Sequence, residues 1–231
     1  MGGKAVCLIS GGLDSAVCAA IARDRGCEIY ALTFDYGQQH RREVESAKKI
    51  AKFYKAREHM ILDAGLGRFG GSSLTSGDDV PQGKKFEEIK NSIEIPSTYV
   101  SARNTIFLSY ALAYAETVDA DSIYIGANHI DYSGYPDCRP EYFKAFQKMA
   151  DLATKRAVEG KPVKIEHPII ELDKKAIVKL GIKLNVPFEL TWSCYAGRKR
   201  ACGRCDSCIL RLNGFREAGI KDPIDYEKQM V

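Results

Sequence analysis

Ser10-Gly11-Gly12-Leu13-Asp14-Ser15 stands between a strand-sized apolar run, residues 5–9, and a stretch, residues 16–25, in which Val17, Ala20 and Ile21 recur at helical spacing. Strand, loop and helix in that order predict an opening βα unit. In such a loop the backbone N–H groups and the helix N-terminus converge on one point of positive potential, which suits an anion. Gly11 and Gly12 let a phosphate approach the backbone without a Cβ in the way, and the hydroxyls of Ser10 and Ser15 can donate to its oxygens. Asp14 would repel a phosphate unless a cation lies between them, so it is assigned to Mg²⁺. The competing reading is a tight Gly-Gly turn followed by an ordinary helix cap.

Working outward, residues 28–34 read as a second strand. Residues 41–55 read as a helix with Val44, Ala47, Ile50, Ala51 and Tyr54 on one face, and residues 58–62 as a third strand. Residues 64–96 break the pattern with Gly-rich, polar sequence too long for an ordinary connection, and are expected to form a mobile lid or substrate loop. Residues 103–118 return as a helix apolar nearly all round, and residues 121–127 as a strand. Residues 141–159 and 174–184 read as further helices. The alternation predicts an α/β fold with a doubly wound parallel sheet over residues 1–190. From residue 191 the composition shifts to Cys, Arg and Gly, marking a small appendage over residues 191–231.

The 231 residues carry a net charge of +4, from 34 basic and 30 acidic side chains spread along the chain. That imbalance is too weak for an extended nucleic-acid footprint and fits an anionic small substrate. No apolar stretch approaches the roughly 18 residues needed to cross a membrane, and the N-terminus leads into the loop rather than into a cleavage site. A cytoplasmic, membrane-free protein is expected.

Cys194, Cys202, Cys205 and Cys208 form C-x₇-C-x₂-C-x₂-C, a spacing that brings four thiolates to one tetrahedral ion. Zinc bound this way has no open position, so it should pin the C-terminal segment rather than activate water. An iron–sulfur cluster is the competitor, but the fourth cysteine lies upstream and the usual trailing proline is absent. Cys7, Cys18 and Cys27 read as small buried hydrophobes, and Cys138 as loop lining without a convincing base. Gly65 to Gly70 matches GxGxxG after a strand, yet no helix can follow it. No Walker A loop occurs, so neither hydride chemistry nor γ-phosphate cleavage is indicated.

The SGGLDS loop resembles the signature of the PP-loop ATP-pyrophosphatases, which cleave ATP between the α and β phosphates. That resemblance implies a nucleotide at the C-terminal ends of the strands, near the switch in strand order. Leu8, Ile9, Ser10, Gly11, Gly12, Leu13, Asp14 and Ser15 would line it, with Ala16, Val17 and Cys18 following. Thr33 and Phe34 would flank the adenine, and Ser10, Asp14 and Ser15 would be catalytic.

Three further stretches, residues 34–40 (FDYGQQH), 131–140 (DYSGYPDCRP) and 191–195 (TWSCY), make the chain similar to the 7-cyano-7-deazaguanine synthase family. The likeness runs from residue 6 to about residue 211. It implies conversion of 7-carboxy-7-deazaguanine and ammonia to the nitrile by two adenylations, for deazaguanine-modified tRNA nucleosides. ATP, Mg²⁺ and Zn²⁺ are the implied cofactors, and a homodimer is the family expectation. Arg103 and Asn104 match the family's RN pair and are assigned to ATP; a plain helix start is the alternative. Asp131, Tyr132, Tyr135, Asp137 and Arg139 are assigned to the deazaguanine, by stacking and by carboxylate pairing with its N–H edge; an ordinary Tyr- and Pro-rich turn is the alternative. His40 and His129 depart from the family pattern without touching the loop or the cysteines. The rival functions are tRNA thiolation or lysidine formation, which would need a broad basic face, and a nucleotide sensor that releases no pyrophosphate.

Overall fold

The computed structural model describes residues 2–92, 94–130 and 134–227. A five-stranded, all-parallel sheet lies at its centre in the order β3-β2-β1-β4-β5. The strands are β1 (Lys4–Leu8), β2 (Glu28–Asp35), β3 (Glu58–Asp63), β4 (Ser122–Tyr124) and β5 (Lys164–Glu166). Around it run α1 (Leu13–Asp24), α2 (Arg42–Phe53), α3 (Phe86–Lys90), α4 (Arg103–Thr117), α5 (Pro140–Ala153), α6 (Lys155–Val158), α7 (Lys174–Lys183) and α8 (Asp206–Ala218).

Alternation along β1 sends Val6 and Leu8 to one face and Ala5, Cys7 and Ile9 to the other, and each set joins its own buried cluster. Leu108, Ala111 and Ala115 of α4 cover the first face together with Phe143 and Phe146 of α5. Val17 and Ala20 of α1, Ala47 and Ile50 of α2, and Ile177 and Val178 of α7 cover the second. With both faces covered, the central strands must be apolar throughout rather than alternately polar. Each fully buried Ile or Leu, such as Ile50, Leu32 and Ile177, contributes about 1.5–3 kcal/mol.

Several expectations change. The helix expected over residues 141–159 is two helices, because Thr154 leaves helical geometry (φ −115°, ψ 143°) and caps α6 by accepting from the Ala157 N–H. The helix at residues 103–118 is not buried all round, since Tyr110 is 47 % exposed. Strand β5 and helix α8 went unread. The Gly-rich stretch after β3 is anchored to the body of the protein at several points. Leu66, Leu74 and Val80 are buried in the first cluster, Gln39 Nε2 donates to the carbonyls of Ser73 (2.8 Å) and Asp78 (2.7 Å), and Gln82 bridges to Cys205.

The strand order reverses between β1 and β4, which opens a crevice beyond their C-terminal ends. Residues 191–227 close one side of it, with Trp192 and Cys194 in the first cluster and Phe215 in the second.

Candidate active site

A cleft of about 220 Å³ occupies that crevice. Its floor is the loop between β1 and α1. Gly11 adopts φ +90°, and a Cβ there would lie 2.1 Å from the Glu43 carbonyl oxygen, so both conformation and space require glycine. On the β4 side space alone requires glycine at Gly126, where a Cβ would lie 2.7 Å from the Ser15 amide nitrogen. The Ser10 hydroxyl donates to Ser15 Oγ (3.0 Å) and accepts from the Gly12 N–H (3.2 Å), while Ser15 Oγ donates to the Gly12 carbonyl (3.0 Å). No side chain caps α1 at Gly12. The helix N-terminus is thus presented to the cleft uncapped, an arrangement that fits a phosphate group.

Asp14 meets Lys174, which reaches in from the first turn of α7 with Nζ 2.9 Å from each carboxylate oxygen. Lys174 is 8 % exposed. The carboxylate assigned to Mg²⁺ is therefore already engaged by an ammonium group.

The opposite wall is rich in aromatic groups and holds a half-buried cation, Arg103. Ala102, just before α4, has φ 52°, a strained conformation for a residue with a Cβ, and its N–H donates to the Tyr99 hydroxyl (3.0 Å). That turn aims Arg103 into the cleft, where its guanidinium lies 5.5 Å from the Tyr36 ring centroid and donates to the Tyr36 hydroxyl at 3.5 Å. Phe34 and Phe107 stack at 4.0 Å with their planes 5° apart, and both line the cleft. Tyr135 and Tyr195 complete this side. Burial pushes the carboxyl of Glu43, in the first turn of α2, up to about 7, against the pull of Arg103 and with a smaller push from Cys194. Burial also pushes the Cys138 thiol up to about 12, and Asp137 adds to the rise. That shift favours the neutral thiol over the thiolate at Cys138.

Of the residues assigned to ATP, Leu8, Ile9, Ser10, Gly12, Leu13, Asp14, Ser15, Phe34, Arg103 and Asn104 line the cleft. Gly11 supports it from behind. Ala16, Val17 and Cys18 are buried in the second cluster, where the Cys18 thiol donates to the Ile125 carbonyl at 3.5 Å. Thr33 lies off the cleft: strand alternation puts Phe34 on the cleft side, and Thr33 Oγ1 instead donates to the Ile9 carbonyl at 2.6 Å.

For the deazaguanine set, Tyr135 lines the cleft, whereas Asp137 and Arg139 do not. Asp137 is buried, its carboxylate accepting from the Asn104 N–H at 3.0 Å and so capping the start of α4. Arg139 is exposed and donates to the Pro136 carbonyl at 3.1 Å. Asp131 and Tyr132 lie outside the described residues. Glu43, Lys174, Trp192 and Arg211 line the cleft as well. Sequence reading missed them as site residues because they come from α2, α7, the 191–195 stretch and α8, with no local pattern to join them. The one available signal was the presence of Trp192 in a family-like stretch.

The four cysteine sulfurs lie within 4.8 Å of one another, and all four residues are buried. Backbone N–H groups point at them: those of Ala196 and Cys202 donate to the Cys194 sulfur (3.4 and 3.3 Å), and those of Arg204 and Cys205 to the Cys202 sulfur (3.4 and 3.3 Å). A closed set of four buried sulfurs receiving N–H donors fits a tetrahedral thiolate-bound metal. One link joins this cluster to the cleft floor. The Trp192 amide donates to the Gly11 carbonyl (2.8 Å), and its indole N–H donates to the carbonyl of Cys194 (2.9 Å). Arg42 lies over the indole at 4.0 Å. Arg211 braces the same stretch, donating to Thr191 Oγ1 (2.7 Å) and Ser193 Oγ (3.3 Å), while its fork grips Asp222 at 2.7 and 2.9 Å.

Among solved structures, NMN synthetase from Francisella tularensis is similar with a TM-score of 0.48 and 17 % identity, over 94 % of this chain and 78 % of that one. The family model described as Queuosine biosynthesis protein QueC matches residues 4–219. A 7-cyano-7-deazaguanine synthase from Acetivibrio thermocellus is 55 % identical over 224 residues, covering 96 % of this chain and 97 % of its own. One from Coxiella burnetii is 54 % identical over 226 residues, with coverage of 96 % and 97 %. The chain therefore belongs to the queuosine biosynthesis protein QueC family, as an enzyme of the 7-cyano-7-deazaguanine synthase kind.

Proposed function

We propose that the cleft adenylates 7-carboxy-7-deazaguanine with ATP and carries it, with ammonia, to the nitrile in two rounds. A carboxylate accepts no amine until its oxygen becomes a good leaving group, and AMP supplies one while pyrophosphate departs. Ammonia then displaces AMP to give an amide. Adenylation of the amide oxygen and loss of a second AMP give the nitrile.

The observation that carries this reading is the uncapped N-terminus of α1 behind a Gly11 turn, facing a compartment walled by Phe34, Phe107, Tyr135 and Arg103. Phosphates suit the first part, a planar anionic heterocycle the second. Lys174 and Arg103 offset the negative charge of the α-phosphate and the departing pyrophosphate, and the Ser10 and Ser15 hydroxyls fix the loop that holds it. Mg²⁺ would add a further positive charge; Asp14 would hold it and would have to release Lys174 to do so. Cys194, Cys202, Cys205 and Cys208 would hold zinc, which in an all-thiolate site supplies structure and no chemistry.

The test is incubation with ATP, ammonium and candidate acids, following AMP and pyrophosphate. 7-Carboxy-7-deazaguanine should trigger ATP cleavage and guanine, which lacks the carboxylate, should not. Asp14→Ala should fold and form no AMP. Turnover of an unrelated acid with none of the deazaguanine would sink the reading.

A further inference from the structure

Two carboxylates line the cleft among the described residues, Asp14 and Glu43. Asp14 is held by Lys174 through both oxygens. Among the described residues the Glu43 carboxylate has no hydrogen-bond or ion-pair partner, although the residue is only partly exposed. Arg103 is the cation that bears on it electrostatically, yet that guanidinium is turned to the ring and hydroxyl of Tyr36. The place of Glu43 is fixed by backbone packing instead: its carbonyl abuts Gly11, so its side chain starts from the edge of the phosphate loop.

A carboxylate left unpaired in a half-closed cleft is costly unless a cation or a proton joins it. The proposed reaction brings a group that supplies both. Ammonium is the dominant form of ammonia at neutral pH, and it must lose a proton before it can attack. Lys174 and Arg103 cannot accept that proton, and Asp14 is already paired. We propose that Glu43 is the ammonium site of the cleft and the acceptor of its proton, an assignment that rests on the function proposed above. Ammonium gives one proton to the Glu43 carboxylate. The ammonia so freed forms the C–N bond with its lone pair. The C–O bond to AMP breaks with its electrons leaving on the phosphate, and the extra proton on the new C–N nitrogen passes to water.

Hydroxylamine provides the test, because it is unprotonated at neutral pH and needs neither a cation site nor a base. Full-length wild type and Glu43→Gln, as purified, are given ATP, 7-carboxy-7-deazaguanine and either ammonium or hydroxylamine, and loss of the acid is followed by chromatography. The ratio of ammonium to hydroxylamine turnover should fall roughly a hundredfold in Glu43→Gln, the lower range of a positioned proton acceptor. Glu43→Asp should recover part of it, and carries the comparison alone if the Gln variant does not fold. An unchanged ratio overturns the assignment of Glu43. Absence of pyrophosphate release by wild type with the acid shows instead that the functional reading fails, and the assignment falls with it.

Discussion

Lys174 and Asp14 make an ion pair across two elements that share no local sequence, with lysine 9 % and aspartate 24 % exposed at the side chain. Removing one partner of a buried pair leaves an uncompensated charge, which costs about 3–5 kcal/mol. Asp14 is partly solvated, so Lys174→Met should lie near the bottom of that range, about 3 kcal/mol by urea unfolding, with loss of ATP cleavage. Asp137 behaves differently from the expectation drawn from its loop. Its carboxylate caps α4 through the Asn104 N–H, so Asp137→Asn should cost about 1.5–3 kcal/mol and weaken ATP and the acid substrate alike. Selective loss of the acid substrate in titrations of both ligands would return Asp137 to substrate reading. Glu43 sets a pH dependence. Its folded value, about 7, lies above the unfolded 4.5, so its stabilising contribution is complete below pH 4.5 and is lost as pH rises through 7. Melting temperatures of wild type and Glu43→Gln should therefore diverge between pH 5 and pH 8 in favour of the variant at the higher value; parallel curves would contradict this.

The elements nearest the phosphate loop were the most legible, because strand, glycine turn and helix follow within twenty residues and each signal is local. Gly11 carries the clearest consequence. In Gly11→Ala the new methyl group would be forced against the Glu43 carbonyl in a left-handed conformation, a strain of about 1–3 kcal/mol before any contact is counted. Differential scanning fluorimetry should show a lowered melting temperature and no upward shift on adding ATP. Elsewhere local signals failed for physical reasons. Thr154 ends a helix by turning its hydroxyl to the backbone in a stretch that is otherwise good helix. Strand β5 is three residues long, too short for alternation to register. Helix α8 hides its periodicity because its inward face includes Arg211, Asn213 and Gly214 beside Leu210 and Phe215. A charged residue at 2 % exposure reads as surface until Asp222 is seen on it.

Across the whole molecule, the cleft draws on residues from Leu8 to Arg211, so the floor legible in the sequence is completed by walls that only tertiary packing assembles. The cysteine cluster is part of that assembly. About one zinc per chain, with no visible-region absorbance, is expected from four thiolates and a d¹⁰ ion; a brown protein with iron and labile sulfide would refute it. Cys208→Ser should weaken ATP binding as well as metal binding, since Cys194 and Gly11 are tied to the same residue. That residue is also the chain's one tryptophan. Light absorbed selectively by indole is therefore absorbed at a single place, beneath a guanidinium, with its two N–H groups on the phosphate loop and beside the cysteines. Emission from Trp192 becomes a label-free gauge of both: its wavelength and intensity should change when nucleotide fills the loop and when a chelator empties the cluster, each without an added dye.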